Sequence, residues 1–129
     1  MRNVMRIGLA GLLIGVGLPA AALVPQALAP ALGGMWEVSR SASGSNPTKI
    51  CVASPDQLAQ FEHRQRRCTR TTVSDSGTET LISYTCAGGG FGQSKMKLIT
   101  PRTLRIETQG ISENLPFSYQ LHARRVGAC

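Results

Sequence analysis

Aromatic side chains are scarce in this chain, with one tryptophan, two tyrosines and three phenylalanines among 129 residues. A small domain with so few large groups builds a thin core and needs support from elsewhere. Histidine is scarcer still, limited to His63 and His122. No Cys-x-x-Cys or His-x-x-x-His spacing occurs, so the patterns of zinc sites are missing. The seven acids stand apart from one another in sequence, so no local carboxylate pair suggests acid–base chemistry. His122 falls on the outward parity of its strand and His63 sits in a basic run, so neither is placed as a general base. The run Gly88-Gly89-Gly90-Phe91-Gly92 lacks the Lys-Ser/Thr and the helix of a phosphate-binding loop, and reads as a turn or bulge. These absences point to a protein that is not an enzyme and holds no metal and no cofactor.

The N-terminus is of a different kind. Met1 to Arg6 carries two arginines and no acid, and Ile7 to Val24 is almost wholly apolar or glycine. Ala27-Leu28-Ala29 fits the small-x-small pattern of signal peptidase, so a signal peptide over residues 1–29, cut near 29–31, is expected. Pro30 directly follows that first cut, with Ala29-Pro30-Ala31 and Ala20-Ala21-Ala22 as the other sites. The apolar stretch is also about long enough to span a bilayer at ~18 residues, but its glycines, Pro19 and Pro25 favour cleavage. The expectation is a periplasmic or secreted protein with a single domain over 32–129, not an integral membrane protein once the signal is cut. Loss of Arg2 and Arg6 lowers the formal charge from +7 to +5. That supports weak attraction to anionic surfaces and is also an ordinary solubility level.

All four cysteines, Cys51, Cys68, Cys86 and Cys129, lie after the signal. An even number in an exported chain reads as two disulfides. Three pairings are open. Cys51–Cys68 with Cys86–Cys129 is expected, because the first closes a local helical excursion and the second ties down the C-terminus.

Between the cysteines the pattern is mainly β. Trp36 and Val38 share one face of a strand over Met35 to Ser41, with Glu37 and Ser39 on the other. Ala42 to Thr48 is turn-rich, and Lys49 to Val52 is a short strand. Ser54-Pro55-Asp56-Gln57 carries a capping-box pattern and starts a short helix near 54–62, with Leu58 and Phe61 inward. Beyond Cys68 the inward sets are Thr80, Ile82, Tyr84; Met96, Leu98; Leu104, Ile106, Thr108; and Phe117, Tyr119, Leu121, Ala123. Gly110 to Pro116 is expected to be a flexible loop. About seven short strands joined by hairpin turns predict an antiparallel meander, forming a curved sheet or an open lipocalin-like barrel, with a two-sheet sandwich as the alternative.

The order of features resembles a known family. Gly34, Trp36 and Glu37 open the domain, Cys51 and Pro55 precede the helix, Cys68 follows it, Cys86 precedes the glycine run, and Gly127 and Cys129 close the chain. This resembles the secreted Gram-negative family catalogued as domain of unknown function 3617, over roughly Leu32 to Cys129. Met35 before the tryptophan and Ala128 before the last cysteine depart from its pattern. The resemblance implies the fold and the location, and transfers no catalytic residue and no substrate.

Three binding readings follow. The first is a module of the cell envelope for an apolar or amphipathic ligand, with Trp36, Tyr84 and Leu121 as candidate pocket lining; Trp36 as plain core competes with it. The second is a protein-binding or inhibitory module resembling small lysozyme inhibitors, working through Ala42–Thr48 and Gly110–Pro116. The third is a basic protein that binds anionic surfaces through Arg64, Arg66, Arg67 and Arg70. No nucleic-acid partner is expected, since no aromatics interleave with the arginines to stack bases.

Overall fold

Alternation of apolar and polar residues is realised, among the described residues, as seven antiparallel strands in one sheet. They are β1 (Gly34–Ser39), β2 (Thr48–Val52), β3 (Cys68–Ser76), β4 (Glu79–Cys86), β5 (Phe91–Thr100), β6 (Thr103–Ser112) and β7 (Leu115–Gly127). The computed structural model describes Gly15 and residues 24–129, so the basic start and most of the apolar stretch of the expected signal lie outside the described residues. No helix among the described residues is long and apolar enough to cross a membrane.

Spatial order is β2-β1-β7-β6-β5-β4-β3. From β3 to β7 the chain is a plain meander, and the β1–β2 hairpin is added to its far side, against β7. The sheet stays open: β2 and β3 are its two edges, so the lipocalin-like barrel is not closed. Between those edges runs the helix, which is a 3₁₀ helix, Pro55–His63, with a break at Gln60. The capping box is only partly formed. The Ser54 side chain makes no bond to the helix backbone and contacts the Asp56 carboxylate instead, while the Gln57 side chain accepts the Ala53 N–H at 2.8 Å.

One face of the sheet is buried. Trp36, Val38, Ile82, Met96, Leu104, Ile106, Leu121 and Ala123 form the core with Leu28, Leu58, Ala59 and Phe61 from the two 3₁₀ segments that cover them. The expected inward parities of β1, β4, β5 and β6 therefore hold, and burial of each large side chain is worth roughly 1.5–3 kcal/mol. Hydroxyl groups in this core are paired. The Ser94 hydroxyl donates to the Ala59 carbonyl at 2.5 Å and accepts from the Thr108 hydroxyl at 2.8 Å, so the helix is hung on β5 and β6.

Two expectations are corrected. Gly110 to Pro116 is not a loop: β6 and β7 continue in register through Gly110↔Phe117 and Ile111↔Pro116, and only Glu113-Asn114 turns. Both turn residues have positive φ, 50° and 64°, which matches the twist of a tight hairpin. Gly110 breaks the apolar alternation because a Cβ there would collide with the Phe91 carbonyl.

The disulfides are Cys51–Cys129 and Cys68–Cys86, not the expected pairing. Cys68 and Cys86 stand opposite each other in the β3–β4 register. β2 lies one strand from β7, which brings the chain end to Cys51. Sheet neighbours, not proximity along the chain, choose the partners.

Candidate functional site

The helix Pro55–His63 and the chain just beyond it carry the basic run into the gap between the sheet's two edges. There Arg64, Arg66, Arg67 and Arg70 line one cleft of about 370 Å³. Its walls are Ile50, Cys51 and Val52 of edge β2 on one side and Cys68 and Arg70 of edge β3 on the other, with Gln57 and Gln60 from the helix between them. Each wall is tied back by a disulfide, Cys51 to Cys129 and Cys68 to Cys86. The sheet thus curls until both edges share one cleft without pairing across it.

The arginines are held in different degrees. Arg70 Nε pairs with the Asp56 carboxylate at 3.3 Å, and its Nη1 donates to Gln60 Oε1 at 2.5 Å. Arg64 Nη1 donates to the Phe61 carbonyl at 3.0 Å and its guanidinium lies 4.5 Å from the Phe61 ring centre. Arg66 Nη1 donates to the Gly89 carbonyl at 3.0 Å. Arg67 makes no side-chain hydrogen bond among the described residues. Each guanidinium carries five N–H donors, so all four keep donors free. No acid lines the cleft, and Asp56 beside it is already paired with Arg70. Such a site attracts anions and suits phosphate, whose oxygens match the guanidinium fork.

Gln60 organises this arrangement, and the sequence offers little sign of it. It is buried, donates to the His63 and Arg66 carbonyls at 3.3 and 3.2 Å, and accepts from Arg70. A 3₁₀ helix has three residues per turn, so Gln60 and His63 align on one ridge as Leu58 and Phe61 do on another. Both residues of the first ridge are polar, so the apolar pattern that marks Leu58 and Phe61 as inward gives no sign of it.

His63 is the second residue missed. It is 4% exposed, with Nδ1 2.9 Å from the Tyr84 hydroxyl and the ring edge-on to Tyr84 and Phe117. Its Nε2 has no partner among the described residues and faces Gly90. Gly90 has φ of 95°, and any Cβ at this position would run into the imidazole, which explains why glycine stands at the end of that turn. The run Gly88 to Gly90 is therefore a turn with a packing role, as its positive φ values require.

Burial pushes the His63 imidazole below its ordinary value of 6.5, and the Arg66 charge acts in the same direction against Glu62 and the Ile111 backbone. The contribution of a neutral buried imidazole is complete above about pH 6.5 and is lost as pH falls from there through the lowered folded value. Stability is accordingly expected to fall as pH drops below about 6.5, and His63→Gln should flatten that part of the profile. Urea midpoints across the range measure it; equal slopes in the two proteins would count against His63 as the titrating group. Burial also pushes the Tyr84 hydroxyl up to about 12, so it stays a neutral partner for His63 throughout.

Trp36, Tyr84 and Leu121 are not pocket lining. They are 0, 1 and 1% exposed: Trp36 and Leu121 are packed within the core, and Tyr84 is buried against His63. The Trp36 indole N–H donates to the Leu32 carbonyl at 3.1 Å, a core satisfied internally. Two larger depressions, each about 610 Å³, lie on the outer side of the sheet. One balances Lys95 against Glu107 at 3.7 Å and presents little net charge; the other exposes Phe91 beside Ile111 and Pro116. Neither gathers groups of one chemistry as the arginine cleft does.

A family model described as "Protein of unknown function (DUF3617)" matches residues 28–129. The chain belongs to that family. No curated protein and no solved structure matches it. For this DUF3617 protein the match therefore carries a fold-wide kinship and no named activity. Its span takes in both disulfides, the 3₁₀ helix and every arginine of the cleft.

Proposed function

We propose that this chain is a non-catalytic binding module of the cell envelope that holds an anionic group in the arginine cleft between the edges of its sheet. One observation carries the reading. Arg64, Arg66 and Arg67 of the basic run and Arg70 of β3 all line one cleft whose lining holds no acid, while Arg64 and Arg66 also border a neighbouring depression with Glu62 and Glu113. The filled interior around Trp36 argues against a ligand inside the sheet, which leaves the cleft as the place where binding chemistry is concentrated. The ligand class is an oxyanion such as a phosphate, whether on a lipid headgroup or free in solution.

Vesicles of phosphatidylglycerol and phosphatidylcholine test it. Retention of the wild-type chain is expected at low salt, to weaken as salt rises, and to fall by at least about tenfold in Arg66→Glu/Arg67→Glu. Competition by inorganic phosphate would assign the affinity to the phosphate itself; no competition would assign it to the lipid surface. Retention that ignores both salt and the double reversal overturns the reading.

A second reading keeps one specific support. The β1–β2 loop is tied rather than loose: Ser39 Oγ donates to the Ser45 carbonyl at 2.5 Å and accepts the Ser41 N–H at 3.0 Å. A fixed projecting loop suits a protein partner. Pull-down from a periplasmic extract separates the two, because a loop-borne contact would survive reversal of Arg66 and Arg67 and charge-driven retention would not.

A further inference from the structure

We infer that the export signal is cut between Ala22 and Leu23, so that Gln26 to Ala31 belongs to the mature folded domain. This inference rests on residues 1–22 acting as an export signal and is independent of the arginine cleft. Its ground is what the segment after Pro25 does. Gln26–Leu28 forms one 3₁₀ turn laid against β3, β4 and β5. Ala27, Leu28 and Ala31 are 2, 0 and 5% exposed, and Leu28 and Ala31 belong to the same core as Trp36 and Leu58. The turn is also tied by a side chain far along the sequence. The Asp75 carboxylate at the end of edge strand β3 accepts the Gln26 N–H at 2.6 Å and the Ala27 N–H at 2.9 Å. Those are first-turn donors with no partner inside the helix, and an aspartate is the side chain suited to them.

A cut after Ala29 would strip Leu28 from the core and take both donors from Asp75. It would also leave a charged terminus at Pro30, next to buried Ala31. A cut after Ala31 would remove the same groups and Ala31 as well. The small-x-small triplet near the end of the apolar stretch, Ala20-Ala21-Ala22, lies before the tied segment. Cutting there leaves Leu23 and Val24 ahead of Pro25 and every core contact among the described residues in place. The family match opens at Leu28, inside this segment, which agrees with its being part of the domain.

The test is the intact mass and N-terminal sequence of the exported protein, made from the full chain with its own N-terminus in a Gram-negative host. Leu23 is expected as the first residue. Pro30, Leu32 or any other first residue, or an uncut chain, overturns the inference. A second measurement uses Leu28→Ala in the full chain. The exported product should melt at least about 8 °C lower than wild type, because the truncated side chain is in the core. An unchanged melting temperature would mean that residue 28 has been discarded, and would overturn the inference as well.

Discussion

Replacing Cys51 and Cys129 together by serine is expected to lower the stability of the folded chain by about 4–5 kcal/mol. The bridge joins residues 78 apart, so on the chain-entropy model it removes much of the freedom of the unfolded chain. It also acts where the fold is weakest. β2 is a five-residue edge strand paired only with β1, and the residues after β7 have no strand of their own. Small domains have about 5–15 kcal/mol in total, so the double variant should approach unfolding at physiological temperature. The Cys68→Ser/Cys86→Ser variant, whose bridge spans 18 residues, should lose only about 3 kcal/mol. Urea unfolding of the two variants side by side measures the order. Thiol labelling adds a sharper check. Before reduction, Cys68 and Cys86 should stay unreactive in the Cys51/Cys129 variant, whereas the pairing favoured by sequence would leave both free. Labelled thiols in that variant would sink the assignment.

Trp36→Ala should cost about 3–5 kcal/mol, the range for a large aromatic removed from a core. Three features put it in this class. The side chain is wholly buried, β1 is flanked by β2 on one side and β7 on the other, and the indole N–H is bonded to the Leu32 carbonyl. With five other aromatic residues in the chain, few neighbours can move in to refill the space. Trp36→Phe keeps an aromatic ring and loses volume and one hydrogen bond, so a smaller loss is expected. A midpoint for Trp36→Ala within about 0.5 kcal/mol of wild type would show that the residue is not the anchor of the sheet.

Both predictions turn on the same junction, where the first strand of the chain meets the last. β1 pairs with β7 through Trp36↔Arg125 and Val38↔Ala123, residues that no local pattern connects. Inward parity is a rule about neighbours two apart, so Ile82, Met96, Leu104 and Ile106 were legible as core before any fold was known. Gly110 and Pro116 hid the continuation of β6 and β7, since both depart from strand composition, and for Gly110 the reason lies in the neighbouring strand, whose Phe91 carbonyl leaves no room for a Cβ. The candidate site was legible as a list of arginines and not as a place. Its walls come from β2 and β3, which are separated in sequence by the helix and stand at opposite ends of the sheet order.

Composition, alternation and the cysteine count were enough to determine a thin-cored, disulfide-bonded β domain with a basic run after its helix. These are properties of counting and of near neighbours. The tertiary structure alone decided that Cys51 meets Cys129, that His63 leaves its basic run for the core beside Tyr84, and that four arginines face one cleft. Each of these depends on which strands become neighbours. That choice is made by burial and backbone pairing summed over the whole sheet, between residues whose separation along the chain carries no signal of their contact.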